Sequence, residues 1–500
     1  MKRQFAKNLS SNWVVYAVSA LISIALTPYI IAKLGKAAYG VWILVGSFSS
    51  YLGLFDFGIG YAVVRFVARY QKTGESEKRN EVIATSFYTA ALLAVIVLAA
   101  TAFLAVKAAS LFDIPPELVR ESQAVIALVG LSIAFAFPMG IFSEALAGGL
   151  WRFDLFNKVS LTISIARTAL TVLLLELGWG LPGLGLAVLA GSIVGYTWRA
   201  RMLYRLLPDL SIKLRLVSLR VFHQIGDYTL FSFILVLSGR ISFYSDSFIV
   251  GLYRGVEDIA IFGIAVKLTE YLRQLVFTLT KLFSPVASRY NPDSDKASLR
   301  RLFYTGTRLN LLFAVPLAAG LFFWGGPIIR LWIGPSFDYS KVILQILLIG
   351  HVLSFTQGVS GEILLGVGRH RVFAVLSLIS AIVNIVLSVI LVQKMGLVGV
   401  AWGTTIPLTI LSLAYLPAAT LRLVEGKIEE FIRQSLIPVT KATIGPLVII
   451  IAASYHLNSY WYLAGYAAIT GLIYGLTAYI WGLTEEEKGK IRSEISHFRV

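Results

Sequence analysis

The chain has 500 residues, of which 57% are hydrophobic and only 14% are charged, and its mean hydropathy is +0.77. This composition excludes a water-soluble enzyme, because apolar runs long enough to cross a bilayer recur from end to end. The net charge of +17 is explained by Lys and Arg in cytoplasmic loops, without a nucleic-acid partner. Disulfides and thiolate metal sites are also excluded, because the chain has no cysteine.

Apolar runs predict fourteen transmembrane helices. The basic N-terminal residues precede a hydrophobic stretch that is too long for a cleaved signal, so we expect a retained first helix. With the N-terminus inside, about 28 of the 44 Lys and Arg fall in inside segments and about 8 in outside loops. This asymmetry predicts a multi-pass protein of the inner (cytoplasmic) membrane with both termini cytoplasmic.

Three short motifs occur twice in the same order, 216 to 220 residues apart. They are VARY (67–70) and ASRY (287–290), EALAG (144–148) and EILLG (362–366), and GLPGLGLA (180–187) and GLVGVAWG (396–403). Each repeat holds six helices, an even number, so both copies enter from the same side and their pseudo-twofold axis should follow the membrane normal. The predicted order is an N-lobe (1–206), a cytoplasmic linker (207–222), a C-lobe (223–423), helices 13 and 14 (439–482) and a cytoplasmic tail (483–500).

The stretch 267–285, KLTEYLRQLVFTLTKLFSP, predicts one membrane helix that nevertheless carries four charged residues. One narrow stripe of this helix contains Lys267, Glu270, Gln274, Thr278 and Lys281. The stripe rises about 21 Å, most of the hydrocarbon core, and lipid cannot solvate it. Two interpretations stay open: a path for an anionic substrate, or ion pairs of Glu270 with Lys267 and Arg273 that join helices.

Other spans also contain polar groups. Arg240 and Asp246 lie in the seventh span about 120° apart, so Arg240 needs a partner on another helix or an anionic ligand. Asp56 lies between glycines in the second span, where it is either a titratable carboxylate or a hydrogen-bond acceptor. Asp56, Asp246 and Glu270 are the candidates for binding a coupling ion, H⁺ or Na⁺. The first span has a polar stripe that fits either helix packing or a cavity, formed by Asn12, Tyr16, Ser19, Ser23 and Thr27.

No pattern in the sequence indicates catalysis. The five histidines lack metal-ligand spacing, and neither a Walker motif nor GxGxxG is present. The outside loops are too short to hold a catalytic domain. We therefore expect no enzymatic activity, no cofactor and no metal site.

Two segments resemble a known family. They are GLFDFGIGYAVVRFVAR (53–69) in the second span and SPVASRY (284–290) at the end of the eighth. With the fourteen-span plan, they are similar to polysaccharide biosynthesis proteins, the lipid-linked oligosaccharide flippases of the multidrug/oligosaccharidyl-lipid/polysaccharide (MOP) exporter superfamily. The resemblance implies a MATE-like, V-shaped pair of bundles around a cavity lined by helices one, two, seven and eight. The candidate cavity residues on these helices are Asn12, Tyr16, Ser19, Ser23, Arg240, Lys267, Glu270, Arg273, Gln274 and Lys281.

The expected function is export of an undecaprenyl-diphosphate-linked oligosaccharide, such as an O-antigen or exopolysaccharide repeat unit, by alternating access. The expected partners are the polyprenyl-diphosphate-linked glycan and the bilayer, a coupling H⁺ or Na⁺, and a polymerase/chain-length complex. A multidrug cation antiporter is the alternative, but it should have a cavity rich in carboxylates. A membrane glycosyltransferase or polymerase is a third class, which would need a large outside loop.

Overall fold

The structure is a computed structural model in which every regular element of the described chain is helical, as the sequence predicts. It describes the backbone of residues 2–368 and 370–497. Side chains are described over the same residues except 2–13, 227–232, 234–236, 242, 370–372, 490, 491 and 494–497. Contacts divide the chain into two compact units, Met1–Ala260 and Ile261–Val500.

The first unit is built from seven α-helices and the start of an eighth. They are α1 (Lys2–Leu52), α2 (Ile59–Thr73), α3 (Ser76–Leu111), α4 (Val119–Glu144), α5 (Phe153–Glu176), α6 (Gly180–Leu206) and α7 (Leu219–Arg254). A π-helical turn over Ala145–Gly149 extends α4, and 3₁₀ turns lie at Gly53–Asp56, Pro116–Leu118 and Leu214–Leu216. The core of this unit is aliphatic, with Val63, Ile83 and Leu203 fully buried.

The second unit continues from the eighth helix. Its helices are α8 (Val256–Thr280), α9 (Phe283–Ala287), α10 (Lys296–Ile333), α11 (Ser340–Phe355), α12 (Gly358–Gly366), α13 (His370–Ile410), α14 (Leu416–Leu423), α15 (Ile428–Phe431), α16 (Ile437–Ala453), α17 (Tyr460–Thr477) and α18 (Glu485–His497). A 3₁₀ turn lies at Pro335–Phe337, and π-helical turns lie at Leu411–Tyr415, Ile432–Leu436 and Ala478–Gly482.

Many of these helices are membrane spans by length and composition. Within the described residues, nine helical segments are long and apolar enough to cross a bilayer, or ten if the bent pair α11–α12 is one span. Large apolar side chains on them are exposed, including Leu92 and Leu472 at 68% and 77%. Such exposure would be costly in water and is stable in lipid. The chain is therefore a multi-pass membrane protein.

Two of the longest helices contain a break at a glycine. Gly35 in α1 has φ 80° and Gly396 in α13 has φ 58°, a left-handed conformation that glycine adopts readily. Gly35 leaves 33 residues of α1 before it and 17 after it. Gly396 leaves 26 residues of α13 before it and 14 after it, and the π-helical turn and α14 continue these 14 to Leu423. These breaks fall where the sequence predicts the ends of the first and eleventh spans.

The prediction that 267–285 forms one helix is wrong. Helix α8 ends at Thr280, and a turn at Lys281 and Leu282 separates it from α9. Pro285 explains the interruption, because a proline ring inside a helix clashes with the carbonyl group four residues earlier, here that of Lys281. Lys281 is thus in the turn, and its side chain is exposed.

The repeated EALAG and EILLG motifs pack in the same way in their own units. In the first unit, a Cβ added to Gly148 would lie 2.6 Å from the side chain of Val64 in α2. In the second unit, a Cβ at Gly366 would lie 2.6 Å from the carbonyl oxygen of Ser284 in α9. Both motifs therefore place a glycine where it allows close contact with the helix that carries VARY or ASRY.

The segment between α6 and α7 is fixed to α3 of the first unit. Arg79, which is buried, donates to Asp209 at 2.7 Å, and Asn80 donates to the Asp209 carbonyl at 2.7 Å. Tyr88 Oη donates to the Ile212 carbonyl at 3.0 Å. Hydrogen bonds from Ser76 and Arg79 lower the pKa of Asp209, so this carboxylate stays ionised at neutral pH.

Candidate functional site: the polar face of α8

Helix α8 has two opposite faces. Its buried side chains, Ala265, Thr269, Leu272, Val276 and Thr280, recur every three or four residues and form the face that packs in the second unit. Lys267, Glu270 and Gln274 also recur at this spacing, on the side of the helix about 160° away. The polar stripe therefore points away from the packed core of its own unit. Of the two interpretations of the stripe, a functional surface fits this arrangement better than ion pairs that join helices within the unit.

A compact hydrogen-bonded cluster lies in the middle of this face. Glu270 accepts two hydrogen bonds from Arg273, from Nε at 2.7 Å and Nη2 at 2.8 Å, and one from Gln274 Nε2 at 2.6 Å. The side chains of Glu270 and Arg273 are each about one quarter exposed. The expected i,i+3 pair of Glu270 and Arg273 is thus present. Lys267 lies about one turn before Glu270 on the same side of the helix, so the face carries two cationic side chains and one carboxylate.

The guanidinium group of Arg273 is held from several sides. Its Cζ lies 5.2 Å from the centre of the Phe277 ring, at cation–π distance. Its charge also acts on His351 of α11, a residue that the sequence analysis left without a role. A guanidinium fixed by a carboxylate and an aromatic ring keeps a defined orientation, which suits recognition of a phosphate.

Lys281 lies at the end of α8, in the turn before α9. Its charge acts on Glu362 of α12, one of the two repeated glutamates. The equivalent Glu144 in the first unit lies beside α2, where a Cβ at Gly60 would be 3.2 Å from its Cγ. Each repeated glutamate therefore lies next to the interrupted helix of its repeat.

The two charged residues of α7 have different surroundings. The Cζ of Arg240 lies 5.8 Å from the centre of the Tyr244 ring and is partly exposed. Asp246 is 3% exposed and lies beside Tyr51 of α1, in a region where Phe48, Phe112 and Phe248 pack edge to face. Asp246 is thus enclosed in the first unit, whereas the side chain of Arg240 is accessible.

The polar stripe of α1 lies on a packing face, unlike that of α8. Thr27 is buried and donates to the Ser23 carbonyl at 2.6 Å, and Tyr16, Ser19 and Ser23 are half-buried along the same face. Asn12 lies outside the described side chains.

Asp56 lies at the break between α1 and α2. The break consists of a 3₁₀ turn followed by Phe57 (φ 49°) and Gly58 (φ 81°), both left-handed. The Asp56 carboxylate lies close to the backbone N–H groups of Gly58 and Gly60, at the start of α2. Both roles predicted for Asp56, a titratable carboxylate and a hydrogen-bond acceptor, stay predictions.

A second polar cluster in the first unit was not recognised from the sequence. Arg199 of α6 lies 4.4 Å from the centre of the Phe156 ring and donates to Ser160 Oγ at 2.8 Å. Its charge also acts on Glu144 and Tyr196. The sequence predicts that Arg199 lies in a cytoplasmic loop, because Arg199 follows the apolar run of its span by only a few residues. The recurrence of Glu144 in the repeat was the one signal pointing to this cluster.

Comparison with known proteins gives the family. The model of the polysaccharide biosynthesis protein family matches residues 31–342, more than half of the chain. The chain belongs to this family. The model of the lipid II flippase MurJ family matches residues 274–472, which begin near the end of α8 and leave out Lys267, Glu270 and Arg273.

Two curated relatives match over most of their length. The uncharacterized membrane protein EpsK of Bacillus subtilis is 25% identical over 451 residues, which cover 88% of this chain and 87% of EpsK. A putative O-antigen transporter of Shigella flexneri is 22% identical, in an alignment that covers 82% of this chain and 97% of the transporter.

Solved structures show the same fold. The inward closed conformation of the lipid II flippase MurJ aligns with a TM-score of 0.73 at 18% identity, over 93% of this chain and 97% of MurJ. An inward-facing MATE transporter of the MOP superfamily aligns with a TM-score of 0.65 at 17% identity, over 84% of this chain and 96% of the transporter. The prediction of a MATE-like fold is confirmed.

Proposed function

We propose that this protein moves a polyprenyl-diphosphate-linked oligosaccharide from the cytoplasmic to the outer leaflet of the cell membrane by alternating access. The observation that carries the proposal is the polar face of α8, which points away from the packed core of its unit and has more cations than carboxylates. Membership of the polysaccharide biosynthesis family and similarity to a putative O-antigen transporter support a glycan substrate.

The polar face of α8 offers groups for each part of such a substrate. Arg273 and Lys267 would hold the diphosphate, since Arg gives planar two-point hydrogen bonding and Lys gives a compact charge. Gln274 and Thr278 would hydrogen-bond to sugar hydroxyl groups. Lys281 would extend the cationic path at the end of this helix. In the first unit, Arg240 and the α1 residues Asn12, Tyr16, Ser19 and Ser23 stay predicted substrate contacts. The polyprenyl tail would stay in lipid.

The multidrug cation antiporter is less well supported. A cationic drug would need a surface dominated by carboxylates, whereas the only carboxylate on the described polar face of α8, Glu270, is already bound by Arg273 and Gln274. The similarity to MATE transporters is explained by the shared fold.

We further propose fourteen spans in two six-helix repeats followed by two more helices. The breaks at Gly35 and Gly396 support this number, because each divides one continuous helix into two spans. The equivalent packing of Gly148 and Gly366 supports the repeat.

Reporter fusions after residues 36, 115 and 255 are expected to report outside, with both termini inside. Close contacts in the first unit support a common side: Lys36 lies 3.8 Å from Glu257, and a Cβ at Gly255 would lie 3.9 Å from the Cβ of Asp113. An inside signal at two of the three sites would contradict the proposed orientation.

Deletion of the gene in its own host tests the substrate. The expected result is accumulation of a diphosphate-linked oligosaccharide in the inner leaflet and loss of the surface polysaccharide, with restoration by the wild-type gene. Unchanged surface polysaccharide, in a strain without a second exporter of this family, would contradict the proposal. The same strain can be used to look for a polymerase or chain-length partner by cross-linking.

We expect the driving force to be the membrane potential, with coupling to H⁺ or Na⁺. The sequence has no nucleotide-binding motif, and moving one charge through 100 mV contributes about 2.3 kcal/mol. A dianionic diphosphate leaving an inside-negative cell would gain about 4.6 kcal/mol per 100 mV if its charge crosses unneutralised. Asp56, Asp246 or Glu270 would carry the ion on the return step. Translocation in proteoliposomes that ignores an imposed potential and both ion gradients would contradict this expectation.

A further inference from the structure

A cavity of about 660 Å³ lies in the second unit, away from the polar face of α8. It lies where α10 ends, α11 begins and α16 passes into the loop before α17. Its polar lining includes Arg330, Asp338, Lys341, Gln345, Tyr455 and Asn458. Ser340, at the start of α11, donates to the carbonyl of Ile261 near the start of α8 at 2.7 Å, so the cavity is at the outer end of these helices in the proposed orientation.

The cavity has a net positive charge. Arg330 binds Asp338 in a two-point ion pair, with Nε 3.2 Å from Oδ1. The hydrogen bond from Arg330, together with the charges of Arg330 and Lys341, lowers the pKa of Asp338, so its carboxylate stays ionised at neutral pH. Lys341 makes no ion pair in the part of the chain that the structure describes. Two cations therefore share one carboxylate, and one positive charge is left without compensation.

The position of Lys341 depends on a glycine. A Cβ at Gly326 would lie 2.8 Å from Cδ and 3.4 Å from Cγ and Cε of Lys341. The aliphatic part of Lys341 therefore lies directly on the backbone of α10. Gln345 donates to the Phe322 carbonyl at 3.0 Å, which fixes its amide beside the same cavity.

The inner side of the cavity is apolar. Trp324, Ile450, Ala453 and Leu457 form a buried cluster, and Phe323 packs against it. Trp324 Nε1 donates to the Ile450 carbonyl at 2.8 Å and ties α10 to α16. Tyr460 and Trp461, at the start of the neighbouring α17, are 58% and 88% exposed, as aromatic side chains are at the level of lipid head groups.

We propose that this cavity binds the phosphate head of an outer-leaflet lipid, as a site separate from the translocation path. A cationic rim above an apolar wall at the depth of the head groups matches an amphiphile with one phosphate. The phosphate contacts Lys341 and Arg330, its neighbouring oxygens contact Tyr455 and Asn458, and its carbon chain lies along Phe323 and Leu457. Two lipids share this chemistry, an anionic phospholipid and a polyprenyl phosphate left after the glycan has been removed.

The test is lipid binding to the purified full-length protein, measured by native mass spectrometry and by thermal shift. The probes are phosphatidylglycerol, undecaprenyl phosphate, phosphatidylcholine and inorganic phosphate. Lys341→Gln should weaken binding of phosphatidylglycerol or of undecaprenyl phosphate about tenfold, which corresponds to the loss of one charge-assisted contact. The probe with the larger loss identifies the physiological source.

Two further variants keep the result interpretable. Lys341→Arg retains the charge and should bind lipid within about twofold of wild type. The same is expected of Lys394→Gln, which removes an exposed cation of α13 beside the Gly396 break. Equal binding by Lys341→Gln and wild type would overturn the proposal, as would phosphatidylcholine or inorganic phosphate binding as tightly as the anionic lipids. This readout does not require transport, so it is independent of the proposed flippase activity.

Discussion

Replacing Arg240, Lys267 and Arg273 together by alanine is expected to reduce glycan export at least about a hundredfold while leaving the protein in the membrane. Lys267 and Arg273 would each contribute a charge-assisted contact to the diphosphate, and losing both exceeds the roughly 2.8 kcal/mol that a hundredfold change requires. Arg240 is included because it is the predicted substrate-binding cation of the first unit. Arg273→Ala alone should have the largest single effect, because its guanidinium is already held by Glu270 and Phe277. Export is measured as surface polysaccharide in the deletion strain.

A matched triple variant controls for the loss of charge. Lys107, Arg120 and Lys394 are exposed cations away from α8, so their replacement by alanine removes the same charge without touching the polar face of α8. This control should export normally. Full complementation by the Arg240/Lys267/Arg273 variant would contradict an anionic path along α8. Glu270→Ala is expected to be milder, because it frees Arg273 without removing it.

Gly40→Ala is expected to lower the amount of folded protein strongly. A Cβ at Gly40 of α1 would lie 1.8 Å from the carbonyl oxygen of Val256 and 2.7 Å from its carbonyl carbon at the start of α8. A backbone atom cannot rotate away as a side chain can, so the helices must separate. The cost should be at the upper end of overpacking, about 3 kcal/mol or more. The thermal unfolding midpoint in detergent measures it.

Gly46 provides the matched control on the same helix. A Cβ at Gly46 meets nothing within 4 Å, and alanine favours a helix over glycine, so Gly46→Ala should unfold at the wild-type temperature or slightly above it. If both variants unfold at the wild-type temperature, the close approach of α1 and α8 at Val256 is wrong.

The sequence predicted the membrane class, the helical fold and the polar stripe of α8 because these depend on local patterns. A run of apolar residues specifies a span, and side chains three or four residues apart share one face whatever surrounds the helix. The Glu270–Arg273 pair followed from the same rule. The repeat was visible because a glycine that allows close packing is needed at both Gly148 and Gly366.

Contacts between distant segments could not be predicted in this way. Burial of Arg79 against Asp209, or the proximity of Arg199 to Glu144, depends on how helices pack, and no local pattern specifies that partner. The same holds for His351, which reaches Arg273 only through the packing of α11 on α8. Lys281 was predicted inside the helix because a continuous apolar run surrounds it, although Pro285 indicates a break in the helix.

Reconstitution of the purified protein in proteoliposomes tests the central claim most directly. A fluorescent undecaprenyl-diphosphate-linked oligosaccharide is placed in one leaflet, an impermeant quencher reports its movement, and a cationic dye is offered in parallel. The account predicts that wild type moves the glycolipid and not the dye, and that the Arg240/Lys267/Arg273 alanine variant moves neither. Transport of the dye alone, or equal glycolipid movement by wild type and the triple variant, would contradict it.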